Sequence, residues 1–566
     1  MYMVYCNHMT VKTRYILALF IIISTTFAAE SNYELIIKGN LSRDVFTNVI
    51  NKLNKYNAKN YNSDEINTHS GFIIKEIKES LQPYGYFSPI IKYYTKKNND
   101  KIKIFFDIEQ GARIKYSKVT LAKELEPFID NLKIIKAGDY FDVKAYEETK
   151  KQIKHKLTIA GYAKATLEKS SVEVDLTTQS ATAVIAANLG EKYEFGKVIY
   201  QEDIISKSQI TKYLTFTPGE IYSKDKLSTS RKQLIKSGLF KAVDIAPKFV
   251  DGNNTVDIKI KVKFKEKNSY QVGVGYDTDQ RFRLTFDATN NYLSDSGDKS
   301  IYSIKASDTE IKTGFDYYMP GFDPKTETEI LSVFLDTKAD EDIGDSKYIN
   351  TSFTKKYKFD DYVFGKSINI HYEKSEPNNA NSYLSTLIYP SIAQNYKGSI
   401  TSKLKYNWTN NLMASLQGAG STVSMAQGKI SNTLSYQITP RARFTNKITL
   451  GATLTDDFDS VPLSFKFTAG GSNSIRGYSY DSFGPNKFLK LMSNELSFKL
   501  FEDISATLFV DIGNVTDTLN DGKFYVGAGP GISWNTPIGS ANISLAYAMS
   551  YDGKPWKIQF KFQPNP

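Results

Sequence analysis

From Ser269 onward, apolar and polar residues alternate with a period of two. Tyr270, Val272, Val274 and Tyr276 share one side, with Gln271, Gly273 and Gly275 on the other. Phe282, Leu284, Phe286 and Ala288 oppose Arg283, Thr285 and Asp287. Near the end, Phe524 to Trp534 alternate in the same way, and Ala541, Ile543, Leu545, Tyr547, Met549 and Tyr551 oppose Asn542, Ser544, Ala546, Ala548 and Ser550. This is the side-chain period of a β-strand. In a soluble sandwich the second side would carry charge. Here it is rich in Gly, Ser and Ala, which suits the polar lumen of a transmembrane barrel. Tyr270 and Tyr276 stand roughly 20 Å apart at about 3.3 Å per residue, near the height of a lipid-facing band between aromatic girdles. At roughly 18–20 residues per strand and connection, residues 268–566 predict an even antiparallel barrel of about 16 strands.

The first half repeats. Leu81-Gln-Pro-Tyr-Gly85-Tyr86-Phe87 recurs as Ile159-Ala-Gly161-Tyr-Ala163 and as Lys236-Ser-Gly238-Leu-Phe240, so the marker glycines are 76 and 77 residues apart. A second marker, Gly138-Asp-Tyr-Phe141, recurs 81 residues later as Gly219-Glu-Ile-Tyr222. Each unit predicts an opening strand (Glu34–Lys38 in the first), a helical stretch capped by the marker glycine and two closing strands, such as Ile102–Ile108 and Val256–Phe264. In the last of these Val256, Ile258, Ile260, Val262 and Phe264 share one face, and Lys259, Lys261 and Lys263 the other. A unit of this size holds its own core, so the pattern means a string of small domains: 33–110, 111–189 and 190–267.

The N-terminus adds the compartment. Lys12 and Arg14 precede an apolar run, Tyr15–Ile23, followed by Ser24-Thr-Thr-Phe-Ala-Ala29. This is the pattern of a secretory signal peptide over 1–29, too short to span a membrane comfortably. The only cysteine, Cys6, precedes the run, so a cleaved chain has no disulfide, thiolate metal site or cysteine nucleophile. The mean hydropathy of −0.38 and the aromatic content of 13% fit a barrel whose two faces differ. The net charge of +11 is spread widely rather than blocked, which argues against nucleic acid and leaves contact with anionic lipid headgroups open.

One stretch breaks the alternation. Phe465 and Phe467 run into Gly470-Gly471, and Ile475-Arg476-Gly477-Tyr478 follows, a single cation among small residues. An arginine in such a loop can fork onto a carboxylate. Leu508, Val510 and Ile512 predict a lipid-facing row, which turns Phe509, Asp511 and Gly513 inward. The repeats resemble POTRA domains. Repeats, barrel and the loop Gly470–Tyr478 together resemble the superfamily of BamA, TamA and the two-partner secretion transporters. That resemblance implies three periplasmic α+β POTRA domains before a C-terminal barrel in the outer membrane of a Gram-negative type cell. It also implies that Arg476 meets an acid on a nearby strand, here Asp511. In a wet lumen such a pair contributes about 1 kcal/mol, and more if the site is dry, so its expected role is to fix the loop. With three repeats the chain is most similar to the TamA branch; the BamA branch usually carries five and two-partner transporters two.

Closure of the barrel requires its last strand to pair with its first. The last has Ile558, Phe560 and Phe562 on one face and Lys557, Gln559 and Lys561 on the other, with Pro555 before it and Pro564 after it. The first, Tyr270–Tyr276, contains Gly273 and Gly275, which weaken a strand. A lateral seam at Tyr270, Val272, Gly273, Gly275, Lys557, Ile558, Phe560 and Phe562 is expected to open and admit a client strand. His69, His155 and His371 have no ligand or triad spacing, so neither a metal nor a catalytic role is expected, and no cofactor. Asp340-Glu-Asp-Ile-Gly-Asp345 reads as a solvated acidic loop before a calcium site. The resemblance implies an assembly factor for β-barrel or autotransporter clients, working with a TamB-like inner-membrane-anchored partner and contacting membrane lipid. Alternatives are a two-partner exoprotein transporter, a BamA-like general insertase, or a component of phospholipid transport.

Overall fold

The computed structural model describes residues 33–564 except 58–62, 99–100, 169, 201–206, 295, 521, 538, 552 and 554. The expected signal peptide, with Cys6, lies outside the described residues, as do the last two residues of the tail. The chain divides into two compact units. One holds the first two repeats and part of the third; the other holds the barrel and the rest of the third.

Each repeat builds a three-stranded sheet in which the closing strand sits at the centre. In the first, Tyr33–Lys38 runs parallel to Lys101–Glu109, and Ile90–Asn98 runs antiparallel to it on the other side. Two helices, Arg43–Asn57 and Ser63–Leu81, cover one face. Val49, Leu53, Ile77 and Leu81 descend from them onto Ile104 and Phe106, all fully buried. Each such side chain contributes about 1.5–3 kcal/mol of burial. The second repeat departs from the expected pattern. Its first helix shrinks to a 3-10 turn, Lys123–Phe128, with Pro127 inside. Proline lacks the N–H that would continue a ladder, so a single helix, Val143–Ile159, packs on that sheet. Asp142 caps it by accepting from the Lys144 and Ala145 amides at 2.8 and 3.2 Å, a cap worth about 1 kcal/mol.

The two sequence markers meet at the junctions between repeats. Gly85 has φ +90° and Gly161 +97°, conformations that favour glycine. The Gly85 carbonyl accepts the Ile114 N–H at 3.0 Å, and the Gly161 carbonyl accepts the Tyr193 N–H at 3.0 Å. Ile114 and Tyr193 then accept from Phe141 and Tyr222 of the second marker, at 2.9 and 2.8 Å. The same pair of backbone bonds therefore fastens the first repeat to the second and the second to the start of the third. Arg113 adds side-chain contacts at the first junction, donating to the Tyr84 carbonyl at 2.7 Å and covering the Tyr140 ring.

The second half is a closed antiparallel barrel of sixteen strands. Strand Tyr362–Pro377 shows why its faces read as they do. Ile368, Ile370 and Tyr372 point outward and are 60%, 51% and 46% exposed, whereas Asn369, His371 and Glu373 point inward and are buried. Apolar side chains exposed beside a buried carboxylate are the arrangement of a lipid-facing wall. The last alternating run needs correction: its strand is Gly539–Ala548, and Tyr551 turns back to lie 5.2 Å from the Tyr478 ring. No helix among the described residues is long and apolar enough to cross a membrane.

Candidate functional site

The segment between strand Ala442–Thr455 and strand Phe488–Lys499 folds into the lumen. Its root is fixed by a buried carboxylate. Glu373 accepts from the Ser464 amide at 3.1 Å, from Ser464 Oγ, and from Ser375 Oγ at 2.7 Å, and it lies 3.0 Å from His371 Nε2. His371 in turn meets Phe465 edge-on, with centroids 4.9 Å apart. This histidine helps hold the root of the loop. A short hairpin, Phe467–Ala469 with Phe483–Asn486, carries the segment onward.

At its tip Arg476 is directed at Asp511 of strand Ile504–Thr516. Nε donates to Oδ2 at 2.7 Å, Nη2 to Oδ1 at 2.9 Å, and the Arg476 backbone N–H to Oδ2 at 3.1 Å. Ser493 Oγ donates to Oδ1 at 2.6 Å. The guanidinium also lies 3.5 Å over the Phe509 ring centre and 3.4 Å from Glu495. Asp511 is only 1% exposed, so the carboxylate has exchanged water for four donors. The pair is the dry case, not the wet one. Its energetics therefore follow a buried pair, in which losing one partner strands the other.

The neighbours of Arg476 dock the same turn. Ile475 is fully buried and reaches Gly513, whose missing side chain leaves the space. Gly477 has φ +96° and lies against the Tyr547–Ala548 peptide. Tyr478 donates to the Val526 carbonyl at 3.0 Å, accepts the Ser550 N–H at 3.2 Å, and packs with Phe483 and Tyr525. Gly470 and Gly471 make the close approach before it: a β-carbon on Gly471 would lie 2.8 Å from Asp279.

The seam lies beside this loop. First strand Asn268–Asp277 and last strand Trp556–Pro564 share two register pairs, Tyr276 with Phe562 and Asp277 with Lys561, and one further bond from Thr278 N–H to the Phe560 carbonyl at 3.0 Å. Every other neighbouring pair is laddered over at least eight residues, as in strands Gly539–Ala548 and Trp556–Pro564. Closure does pair the first strand with the last, as expected, but only at the Tyr276 end. Tyr270, Val272, Gly273 and Gly275 have no register partner on the last strand. Tyr270 and Val272 are 70% and 65% exposed. On the last strand Lys557, Ile558 and Phe560 lie beyond the register pairs and Phe562 lies within them. Pro564 belongs to that strand, paired with Gly539. The cause is register. The first strand enters a short turn after Asp277, whose carboxylate accepts from the Asp279 and Gln280 amides at 3.0 and 2.7 Å.

Several contributors escape sequence reading. Gly527 looks like an ordinary strand glycine, yet a β-carbon there would overlap the Arg476 carbonyl. Asp279 accepts from both the backbone N–H and the hydroxyl of Ser472, at 2.7 and 2.6 Å. Lys338 pairs with Asp481 at 2.8 Å. No local pattern joins residues so far apart in the chain.

The Omp85 superfamily domain matches residues 264–564. The POTRA family described as surface antigen variable number repeat matches 193–265, and the family described as POTRA domain TamA domain 1 matches 34–110. The outer membrane protein assembly factor BamA of Neorickettsia risticii (strain Illinois) is 22% identical over 240 residues, covering 40% of this chain. The match spans only 31% of that relative's length. The crystal structure of BamA from Haemophilus ducreyi lacking POTRA domains 1–3 superposes with a TM-score of 0.67 at 16% identity, over 80% of this chain and 100% of that one.

Proposed function

The chain belongs to the Omp85 superfamily, and from that membership we propose that it inserts client β-strands into the outer membrane through its seam. It is an outer-membrane β-barrel with its POTRA domains in the periplasm. The observation that carries the proposal is the two-residue ladder between first and last strands, in a wall whose other neighbouring strands each share at least eight register pairs. The unpaired stretch of the first strand presents backbone N–H and C=O groups to any strand that arrives. An arriving strand gains main-chain bonds there, and alternate side chains meet lipid and lumen. The role is one of assembly rather than enzymatic catalysis.

Within the superfamily we place the chain in the TamA branch, which the match of residues 34–110 to a TamA first POTRA domain supports. On that reading its partner is a TamB-like inner-membrane-anchored protein, and its clients are β-barrel proteins or autotransporters.

Two experiments test the proposal. Tyr276→Cys with Phe562→Cys places a disulfide across the seam, since paired antiparallel residues stand about 4.5–5.5 Å apart at Cα, within disulfide reach. In proteoliposomes the oxidised protein is expected to stop inserting a client barrel and to recover on reduction; unchanged insertion rejects the opening seam. Capture of envelope proteins by the full chain decides the branch. A large inner-membrane-anchored protein supports the TamA placement, barrel-assembly lipoproteins move it to the BamA branch, and a single secreted exoprotein makes the chain a dedicated transporter.

A further inference from the structure

The seam is poor in backbone bonds, yet the lumen loop bonds to both of its sides. On the first-strand side, Asp279 lies in the turn after Asp277 and accepts two bonds from Ser472, at 2.7 and 2.6 Å. On the last-strand side, Lys561 Nζ donates to Asn473 Oδ1 at 2.8 Å and Lys557 Nζ to Ser479 Oγ at 2.7 Å. Ser472 and Asn473 are adjacent residues, so one peptide unit of the loop spans the seam.

We propose that Ser472–Ser479 is a clasp that holds the seam shut from the lumen, with Asp279 as one jaw and Lys557 and Lys561 as the other. The proposal rests on the reading that the seam opens. Its physics is that of bonds in series. The loop's tie between the strands runs through both jaws in turn, so releasing either one leaves the strands held only by their two register pairs and the Thr278–Phe560 bond. Four hydrogen bonds, each involving an ionised side chain, outweigh what two register pairs can do alone, because charge-assisted bonds are roughly twice as strong as neutral ones. The arrangement also assigns a task to the Arg476–Asp511 fork. It anchors the clasp to strand Ile504–Thr516, which is separated from the last strand by two others, so the clasp is held by a part of the wall outside the seam.

The test uses full-length protein in lipid nanodiscs, with spin labels at Val272→Cys and Ile558→Cys, both lipid-facing and outside the ladder. Three backgrounds are compared with the parent: Asp279→Ala, Asn473→Ala with Ser479→Ala, and all three together. Bonds in series predict that either jaw variant raises the open-to-closed ratio roughly tenfold, the factor that about 1.4 kcal/mol of lost bonding produces. The combined variant rises no further than either alone. Unchanged distances in both jaw variants, or effects that simply multiply, overturn the clasp. Heat-modifiable gel mobility reports barrel folding. If Asp279→Ala does not fold, Asp279→Asn, which keeps an acceptor and is expected to stay closed, and the loop variant carry the comparison. The two readings fail separately. A seam disulfide that leaves client insertion unchanged rejects the proposed function, whereas jaw variants with unmoved labels reject only the clasp.

Discussion

Arg476 reaches Asp511 with both its side chain and its backbone: two guanidinium bonds at 2.7 and 2.9 Å and a main-chain N–H at 3.1 Å end on one carboxylate. The backbone bond makes the pair unequal. Exchanging the charges, with Arg476→Asp and Asp511→Arg, restores attraction but loses the acceptor for the amide. Asp511→Ala is expected to destabilise the docked loop by about 3–5 kcal/mol, the cost of stranding a buried charge, and the swap is expected not to rescue it. Arg476→Lys keeps the charge but not the fork or the flat contact with Phe509, and should fall between. Chymotrypsin cleavage within 470–480 of the folded barrel, at Tyr478 or Tyr480, which every variant retains, measures the exposure of the loop in each.

Gly527→Ala carries no charge change at all. Its β-carbon would overlap the Arg476 carbonyl, so it is expected to undock the loop as fully as Asp511→Ala does. Gly522→Ala, where the nearest atom stands 3.6 Å away, is the matched control and should leave chymotrypsin sensitivity at the parent level.

The repeat glycines separate strain from crowding. Gly85 and Gly138 have nearly the same φ, +90° and +92°. A β-carbon on Gly85 would lie 2.9 Å from the Phe141 carbonyl oxygen, while Gly138 has nothing within 4 Å. Gly138→Ala should cost about 1–2 kcal/mol from the left-handed backbone alone. Gly85→Ala should cost more and should loosen the first junction. Hydrogen exchange of the Ile114 amide, bonded to the Gly85 carbonyl, is expected to rise in the second variant and not in the first.

Glu373 is fully buried and serves three hydrogen-bond donors and a histidine at the root of the loop. Glu373→Ala orphans the Ser464 amide and both hydroxyls, each at about 1–3 kcal/mol when left unpaired. The expected result is a lower melting temperature in detergent together with a loosened loop. Glu373→Gln keeps one carbonyl acceptor and should recover part of the loss.

In the third repeat, Glu220 bonds Lys226 at 2.6 Å and Thr217 at 2.9 Å, and the Lys226 ammonium holds its carboxyl below the usual range. A depressed carboxylate favours folding above its unfolded value, and the contribution disappears as pH falls through the folded one. Carbon NMR of Glu220 should show titration below that of an ordinary glutamate, and Lys226→Met should move it up toward the ordinary range, with the Thr217 bond still holding part of the depression.

The alternation of apolar and polar residues was legible because it is local. Each strand displays its own two faces, as Ile368 to Glu373 do, whatever its neighbours are. The repeats were legible for the same reason, since Gly85, Gly161 and Gly238 recur at nearly constant spacing. The bonding task of those glycines was not, because the partners of Gly85 and Gly161, Ile114 and Tyr193, belong to the following unit. The arginine loop announced itself by breaking the alternation, and Asp511 could be placed inward from Leu508, Val510 and Ile512. How dry the pair is, and that Gly527 must be small, depend on strands that converge only when the barrel closes. The length of the seam ladder is likewise a property of closure. Register accumulates around sixteen strands, and its remainder falls between Tyr276 and Phe562, where no stretch of sequence records it. Asp279 meets Ser472 across 193 residues because the loop crosses the lumen. Hydrophobic period is written residue by residue along a strand, whereas contact across a closed barrel depends on the sum of all the strands between.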